Sequence, residues 1–472
     1  PMRLKPYVSY RDSGVTWLGE VPEHWEAIPL KRATKINARV LPESTKPTYQ
    51  FRYIDIGSVG TGRLTAKPQK LAVADAPSRA RRILQEGDTI VSTVRTYLKA
   101  VYYVSEGSDD LIASTGFAVI TPGPSLEPKY VSYFVQSDPF TEQVTAHSVG
   151  IAYPAIAETR LGAFRISVPP LAEQHAIAHF LDHIDGRINR TIRAKRKLIA
   201  LLNEQKQAII HRAVTRGLDP DVPLRPSGVE WLGDIPEHWE VMRIKYLLRE
   251  VDKRSTTGQE TLLSLRMNHG LVPHDEHFAR PGQAPTLVGY KVVHPGQIVL
   301  NRLQANNGLV FASDIDGVVS PDYAVFDAIG DVDLYYLTTL FRTPLMKHKF
   351  RVESKGLGTG TAGFLRLYTD RLGMIPVPLP PRDEQYQIMQ ALGAQLAGLN
   401  STISRVEREI DLIREYRTRL IADVVTGKLD VRAAAAALPE ELEEIEPEAA
   451  EDEEGDLNPE PDGQWEEETD AP

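Results

Sequence analysis

Two equivalent positions of the chain carry side chains with different hydrogen-bonding chemistry. Aligning Gly87 with Gly296, each of which precedes a short β-type run, places Arg95 opposite Gln304. An arginine side chain matches guanine O6 and N7, whereas asparagine and glutamine match adenine N6 and N7. These residues could therefore read nucleic-acid bases. For any single one, an exposed loop position without a ligand is an equally good interpretation.

Further polar and aromatic residues extend this candidate set for contacts with DNA. Lysine and arginine suit phosphate groups, which fix the position of a protein on the duplex without reading its sequence. The candidates in chain order are Lys70, Arg79, Arg82, Arg95, Tyr97, Lys99, Tyr153, Arg266, Asn268, Asn301, Arg302, Gln304, Asn306, Lys355 and Arg366.

No arrangement of residues in the sequence points to catalysis, to a metal or to a bound cofactor. The glycine-rich stretch 356–363 lacks the Gly-Lys-Ser/Thr ending of a phosphate loop, so we interpret it as a mobile loop. The twelve histidines show no metal-ligand spacing, and the absence of cysteine excludes disulfides and thiolate zinc sites. We expect no catalytic residue, no metal site and no cofactor on this chain.

Length and composition indicate a globular protein of the cytoplasm. With 472 residues and a hydrophobic fraction of 42%, the chain is long enough for two or three domains with their own cores. No stretch resembles a signal peptide, and no apolar run approaches the roughly 18 residues of a membrane span. The lack of cysteine agrees with a reducing compartment.

The charge of the chain is unevenly distributed. The net charge is -10, but the segment from Glu440 to Pro472 holds 17 acidic residues and no lysine or arginine. The remaining residues carry 54 basic and 64 − 17 = 47 acidic side chains, a net charge of +7. Because so acidic a segment cannot bury enough apolar surface to fold, we predict a disordered tail. The basic body alone is weak evidence for nucleic acid.

Two motifs each occur twice. Residues 13–26, with the pattern Ser-Gly-Val-x-Trp-Leu-Gly-x-x-Pro-Glu-His-Trp-Glu, return as residues 227–240, a shift of 214 positions (227 minus 13). The run Pro-Pro-x-x-Glu-Gln at 169–174 returns at 380–385, a shift of 211 (380 minus 169). The first motif offers no catalytic geometry, so we interpret it as a packed connector. The stretches between the motifs are far less alike.

A stripe of apolar residues follows each Pro-Pro motif. Such residues recur every three or four positions over some 40 residues, which predicts a helix of about 60 Å that packs against a partner helix. The simplest partner is the other copy in antiparallel orientation, and a helix of a different protein is the alternative. The predicted interface residues are Ile177, Leu181, Ile184, Ile188, Ile192, Ile199, Leu202, Ile209, Ile388, Leu392, Leu399, Ile403, Val406, Ile410, Ile413 and Leu420.

The stretches between the motifs, which we call the first head (28–168) and the second head (242–379), mix β-type runs with helix-like runs such as 130–135 and 334–341. We predict the α+β class: two mixed α/β heads separated by two long helices that form an antiparallel coiled coil, with a pseudo two-fold repeat. The remaining predicted regions are a connector at 1–27, a helical region at 169–219, a second connector at 220–241, a second helical region at 380–430 and the acidic tail at 431–472.

The doubled connector motif and the doubled Pro-Pro-x-x-Glu-Gln helix opening resemble the specificity subunit of type I restriction-modification systems. The resemblance covers residues of about 10–430. It implies that the heads are target recognition domains, each of which reads one half of a bipartite, asymmetric DNA site. It also implies that the two conserved helical regions set the spacer and dock the modification subunits.

The same resemblance implies the partners and cofactors of a prokaryotic complex. Double-stranded DNA is the target, two modification subunits bind S-adenosylmethionine and methylate adenine, and restriction subunits use ATP and Mg. The chain itself would be non-catalytic. A fused single-chain enzyme is disfavoured because no room remains for a catalytic domain. A non-catalytic coiled-coil scaffold without sequence-specific DNA binding stays open as the alternative.

Overall fold

The structure, a computed structural model, describes residues 4–107, 110–150, 154–277, 286–357 and 364–439. The chain divides into two compact units, and both divisions fall inside a long helix. Unit 1 joins Pro1–Ala194 with Glu409–Pro472, whereas unit 2 is the continuous segment Lys195–Arg408. The first head therefore lies in unit 1 and the second head in unit 2.

The β-strands of unit 1 are short. In chain order they are β1 (Tyr10–Asp12), β2 (Glu20–Pro22), β3 (Glu26–Pro29), β4 (Thr34–Ile36), β5 (Gln50–Ile54), β6 (Gln69–Ala72), β7 (Ala80–Ile83), β8 (Thr89–Ser92), β9 (Val101–Tyr103), β10 (Leu111–Ser114), β11 (Phe117–Pro122) and β12 (Arg165–Val168). Within the described residues they form four-stranded sheets with the orders β6-β5-β10-β7 and β4-β11-β8-β9, and the pairs β1-β2 and β12-β3. Strand β8 and most of β11 are buried, as expected for runs rich in branched and aromatic residues.

The helices of unit 1 connect its sheets to a long helix. They are α1 (Leu30–Ala33), α2 (Pro128–Gln136), α3 (Asp138–Ala146), α4 (Glu158–Ala163) and the first part of α5 (Leu171–Arg216). Helix α2 begins with a proline, whose fixed φ suits the first turn. Its buried Tyr130 and Phe134 share one core with Ile177 and Leu181 of α5. The first head is thus packed directly on the long helix.

Unit 2 is built from similarly short strands. They are β13 (Leu224–Pro226), β14 (Asp234–Pro236), β15 (Glu240–Arg243), β16 (Leu248–Val251), β17 (Leu263–Arg266), β18 (Gly270–Pro273), β19 (Lys291–Val293), β20 (Ile298–Asn301), β21 (Val310–Ala312), β22 (Gly317–Val319), β23 (Tyr323–Ala328), β24 (Lys355–Leu357), β25 (Phe364–Arg366) and β26 (Pro376–Leu379). The antiparallel sheet β16-β23-β20-β21 has the same arrangement as β4-β11-β8-β9 of unit 1. The described strands also form the pairs β13-β14, β15-β26, β17-β18, β19-β22 and β24-β25.

The helices of unit 2 also pack on a long helix. In chain order the remaining helices are α6 (His274–His277), α7 (Leu334–Phe341), α8 (Pro344–Glu353), α9 (Thr369–Met374), α10 (Arg382–Val425) and α11 (Arg432–Ala436), the last of which belongs to unit 1. Tyr336 and Phe350 share a core with Ile388 and Leu392 of α10. The predicted helical runs at 130–135 and 334–341 lie in α2 and α7, and both predictions are confirmed. A mixed content of helices and strands is likewise confirmed.

Helices α5 and α10 are 46 and 44 residues long, so the prediction of two long helices is confirmed. Both helices end inside the predicted helical regions. Gly217 and Gly427 follow within two residues of the helix ends with φ of +79° and +81°, the left-handed conformation that commonly ends a helix. No helix of the described ranges combines the length and apolarity needed to cross a membrane. Of the predicted interface residues, none is exposed; Ile184, Ile199, Leu202, Ile209, Leu399 and Ile413 are half-buried and the others are buried.

The segment after α10 differs from the predicted disordered tail. Residues 431–439 are ordered: Val431 and Ala435 are buried in the core of unit 1. The backbone N–H of Asp430 donates to the carbonyl of Lys5 at 2.8 Å, and Tyr10 donates to the carbonyl of Gly427 at 3.2 Å. The apolar residues just before the acidic run therefore belong to the fold. The rest of the predicted tail, 440–472, lies outside the described residues.

Candidate nucleic-acid interface

The two repeated motifs bond to each other at the start of each long helix. In unit 1, buried Glu173 at the start of α5 accepts hydrogen bonds from Trp25 Nε1 at 3.1 Å and from the hydroxyl of Tyr7 at 2.6 Å. Its other oxygen lies 2.8 Å from His24 Nε2. Burying a carboxylate is costly unless its oxygens are satisfied by such donors. The glutamate thus fixes the connector on the helix.

Unit 2 repeats this arrangement with the second copies of the motifs. Glu384 Oε2 accepts from Trp239 Nε1 at 3.0 Å and lies 2.7 Å from His238 Nε2. The next residue, Gln385, accepts from the backbone N–H of Asp333, the N-cap of α7, at 2.8 Å. These contacts confirm the interpretation of the connectors as packed elements. They orient each head on its helix.

The turn after β8 presents three candidate residues in one loop of the first head. Arg95 and Lys99 have φ of +50° and +48°, a left-handed conformation that is uncommon for residues with a Cβ. Between them lies a 3-10 turn over Thr96–Leu98, from which Tyr97 and Leu98 are 54% and 49% exposed. Such backbone strain costs about 1–3 kcal/mol and persists only where the surroundings enforce it.

Contacts on both sides hold this turn in place. Thr96 Oγ1 lies 2.7 Å from Ser148 Oγ, and the hydroxyl of Thr61 donates to the carbonyl of Lys99 at 2.8 Å. The Lys99 ammonium donates to Asp138 at 2.7 Å, a partly exposed ion pair. The turn therefore holds the exposed Arg95 and Tyr97 at the surface in a fixed geometry, which suits the reading of bases better than a mobile loop would.

The other candidates of the first head are spread over its second sheet. Lys70 is exposed on the edge strand β6, and Arg79 is exposed just before β7, the edge strand on the opposite side. Arg82 on β7 is only 15% exposed and forms an ion pair with Glu158 at 2.5 Å, which favours a structural role for its side chain. Tyr153 lies outside the described residues.

The turn after β20 occupies the corresponding place in the second head. Gln304 precedes a 3-10 turn over Ala305–Asn307, and this turn packs against α8. Asn301 accepts from the backbone N–H of Leu303 at 3.0 Å, and Asn306 donates to the neighbouring asparagine side chain at 3.3 Å. The structure thus brings Asn301, Gln304 and Asn306 into one turn.

Arg302 differs from its expected place at the surface. Its side chain is 15% exposed and its Nη2 donates to Glu250 at 2.5 Å and to Thr369 at 3.2 Å. Glu250 also accepts from Lys291, which is 3% exposed, at 3.1 Å, and from the Thr369 hydroxyl. Arg302 therefore belongs to a half-buried ion network. This network favours a structural role for Arg302, and its assignment as a DNA contact stays a prediction.

This network shifts the pKa of Glu250. Burial by itself raises the pKa of the carboxyl group, but hydrogen bonds from Thr369 and Lys291 and the charge of Arg302 outweigh burial and lower the pKa below its ordinary value. A carboxyl group with a lowered folded-state pKa adds stability above its unfolded pKa of about 4.3. That contribution is lost as the pH falls through the folded-state pKa.

Replacing Glu250 by glutamine is expected to destabilise unit 2 by about 2–3 kcal/mol at neutral pH, because Lys291 and Arg302, both largely buried, then lose the Glu250 carboxylate. Urea unfolding followed by circular dichroism measures the loss. The variant should also lose less stability than the natural chain as the pH falls below about 4. Glu237→Gln, at an exposed carboxylate of the same unit, is the control and should change neither quantity. Equal stability of both variants would contradict the network's role.

The remaining candidates of the second head lie in two hairpins. Arg266 ends β17, and Asn268 is exposed in the turn that leads to β18. Lys355 on β24 lies directly opposite Arg366 on β25. Lys355 is exposed, whereas Arg366 donates to Asp322 at 3.0 Å. Most of the glycine-rich stretch between these strands, predicted as a mobile loop, lies outside the described residues.

Sequence reasoning did not identify the glutamates that organise these sites. Glu173 and Glu384 were visible only as acids at helix starts, yet their recurrence with the His-Trp pair was a usable signal. Glu250 carried no local signal. In the described part of the chain, no group of three or more histidine, aspartate or glutamate side chains could hold a metal ion.

Comparison with known proteins relates this arrangement to a family. Residues 22–199 match the family model described as the type I restriction modification DNA specificity domain. A Methanocaldococcus jannaschii protein named as the MjaX specificity subunit of a type I restriction enzyme is 23% identical over 88% of this chain and 96% of its own length. The MjaVIII specificity subunit of the same organism is 23% identical over 69% of this chain and 76% of its own.

The fold has a relative among solved structures. A chain from a structure on complex assembly and conformational transition of the type I R-M system aligns with a TM-score of 0.63. The alignment covers 87% of this chain and 99% of that one, at 20% identity. The matched domain, the full-length relatives and the doubled motifs agree. The chain is therefore similar over most of its length to DNA specificity subunits of type I restriction-modification systems.

Proposed function

We propose that the two heads read the two halves of one bipartite, asymmetric DNA site. The observation that carries this proposal is that turns in equivalent places, after β8 and β20, present different side chains. The first turn offers Arg95 and Tyr97, and the second offers Gln304 and Asn306. A shared scaffold with different hydrogen-bonding groups suits two different base sequences.

We further propose that α5 and α10 form an antiparallel coiled coil about a pseudo two-fold axis. Within unit 1, Asp185 of α5 accepts a paired hydrogen bond from Arg417 of α10, at 2.9 and 2.7 Å. Within unit 2, Lys206 of α5 donates to Asn400 of α10 at 2.8 Å. As the residue number rises along α5 it falls along α10, which supports antiparallel pairing. Such a pair would set the length of the unread spacer.

In the proposed complex, other subunits carry out methylation and cleavage. Two modification subunits, docked on the helices, would bind S-adenosylmethionine and methylate adenine in both half-sites. Restriction subunits would add translocation and cleavage with ATP and Mg. This chain would contribute the contacts with double-stranded DNA and would hold no cofactor of its own. The cellular location that fits this role is the cytoplasm of a prokaryote.

Replacing Arg95 by alanine is expected to weaken discrimination in one half-site only, by about 1–3 kcal/mol if the guanidinium makes a bidentate base contact. The measurement is competition binding over single-base variants of both half-sites, with the chain held by its modification subunits. Gln304→Ala is the matched variant in the second head and should affect the other half-site. A uniform loss over all variants would assign Arg95 to the phosphates instead.

The alternative is a coiled-coil scaffold without sequence-specific DNA binding, and the same experiment separates the two. A scaffold would bind all competitor duplexes equally before any substitution. The unlike turns of the heads favour the recognition role, because a scaffold has no need for side chains of different hydrogen-bonding chemistry at equivalent positions. Equal competition by every duplex would contradict the proposed function as a whole.

A further inference from the structure

A cation stacks on an aromatic ring beside the candidate turns of the second head. Arg342 follows the last residue of α7, and its guanidinium lies 4.2 Å from the centroid of the Phe311 ring. Its Nη2 donates to the carbonyl of Met267 at 3.1 Å, next to the exposed Asn268. Burial lowers the pKa of Arg342. The side chain is therefore held in place in a partly desolvated position.

A second cation lies close to the first. Lys347 on α8 is half-buried and packs so tightly on Gly308 that a Cβ there would lie 2.4 Å from its Cε. Burial lowers the pKa of Lys347, and the charge of Arg342 lowers it further. Over the described residues, neither cation has a carboxylate within ion-pair distance. Two half-buried like charges without a counter-ion repel each other, and a bound anion would offset this cost.

The start of α8 adds to the positive potential at this place. Thr343 caps the helix by accepting from the backbone N–H of Met346, and the helix runs for ten residues. The N-terminus of a helix carries a partial positive charge that favours anions. Arg342 precedes the cap and Lys347 follows it by one turn. A guanidinium, an ammonium and a helix N-terminus together match the charge of a phosphate group.

The first head lacks this pair. Tyr130 and Tyr336 are equivalent. Each is fully buried on the helix that follows β11 or β23, and each donates to a carbonyl in the last turn of a long helix, Val425 or Val214. Counting from these residues, Gln136 corresponds to Arg342 and Thr141 to Lys347. Both counterparts are neutral. The cation pair is therefore a feature of the second head alone.

We propose that Arg342 and Lys347 form a binding site for a phosphate of the DNA backbone beside the second half-site. The inference rests on the proposed function and deepens it. The site lies between the hairpin turn with Asn268 and the turn with Asn306. A phosphate bound there would fix the position of these two residues relative to the bases. Binding to the second half-site then includes a salt-dependent contribution from this phosphate contact.

The test replaces the pair by the residues of the first head, Arg342→Gln with Lys347→Thr. Affinity for a duplex is measured by fluorescence anisotropy between about 50 and 200 mM salt, where each phosphate contact contributes a slope of about 0.9. We expect the slope of log K against log salt to fall by about 1. The fall in affinity over this salt range then shrinks about fourfold, while base preferences in both half-sites persist.

Matched controls separate this outcome from a folding defect. Lys349→Thr removes a lysine of the same helix that pairs with Glu353 at 2.7 Å, and it should leave the slope unchanged. The single variant Lys347→Thr serves if the double variant has an altered circular dichroism spectrum, and it too should reduce the slope. A folded variant with an unchanged slope overturns the phosphate site while leaving the proposed function intact. Failure of the unaltered chain to prefer any duplex overturns both.

Discussion

Seven residues inserted into each long helix, after Ala194 in α5 and after Arg408 in α10, are expected to lengthen the unread spacer by about three base pairs. These positions are the divisions between the two units, so the cores of both heads stay intact. Seven residues make about two helical turns and preserve the apolar stripe. At about 1.5 Å per residue they add about 10 Å, and base pairs are about 3.4 Å apart.

The methylation motif of cells that carry the altered system measures the spacer directly. Both half-sites should read as before, with only the distance between them changed. The same insertion in α5 alone is the informative control: it shifts one stripe past the other and should reduce methylation without producing a new spacer. An unchanged spacer after the paired insertion would mean that the helices do not set it.

Trp25→Ala is expected to lower the free energy of unfolding of unit 1 by about 3–5 kcal/mol. The indole ring is 0% exposed and shares a core with Leu18, Tyr130 and Phe164. Its removal leaves a large cavity and also takes one donor away from the buried Glu173. Scanning calorimetry is the suitable measurement, because a chain of two units need not unfold in a single transition.

Comparison with two other tryptophan substitutions tests this reasoning. Trp239→Ala should cost unit 2 a similar amount, because its indole is 1% exposed and donates to Glu384 in the same way. Trp17→Ala should cost less, since that ring is only half-buried. Equal losses at Trp17 and Trp25 would contradict the assignment of the larger effect to the buried indole and its glutamate.

Patterns that depend on neighbouring residues were predictable from the sequence. Repetition of apolar residues every three or four positions located α5 and α10. The glycine-led runs became β8 and β20 because branched residues there form continuous buried strands. In each case, the residues that show the pattern are the same residues that form the helix or the strand.

Features that depend on distant residues were not predictable. Arg302 resembled a base reader, but its partner Glu250 lies 52 residues away and only the folded chain brings them together. The segment with Val431 looked like part of an acidic tail, although a few apolar side chains suffice to place it in the core. Arg342 gave no signal because its surroundings come from a hairpin, a turn and a helix start.

Unit 1 is built from the two ends of the chain, and this has a consequence for folding during protein synthesis. Its core includes Val424 and Val431 from the last described stretch of the chain, whereas unit 2 is the continuous segment Lys195–Arg408. On the ribosome, the second head can fold before the last core residues of unit 1 have been synthesised. This order reverses the usual one, in which the N-terminal domain folds first during translation. A nascent chain that stops before residue 409 lacks the core residues that Glu409–Pro472 supplies to unit 1. Such an incomplete product exposes apolar surface on unit 1.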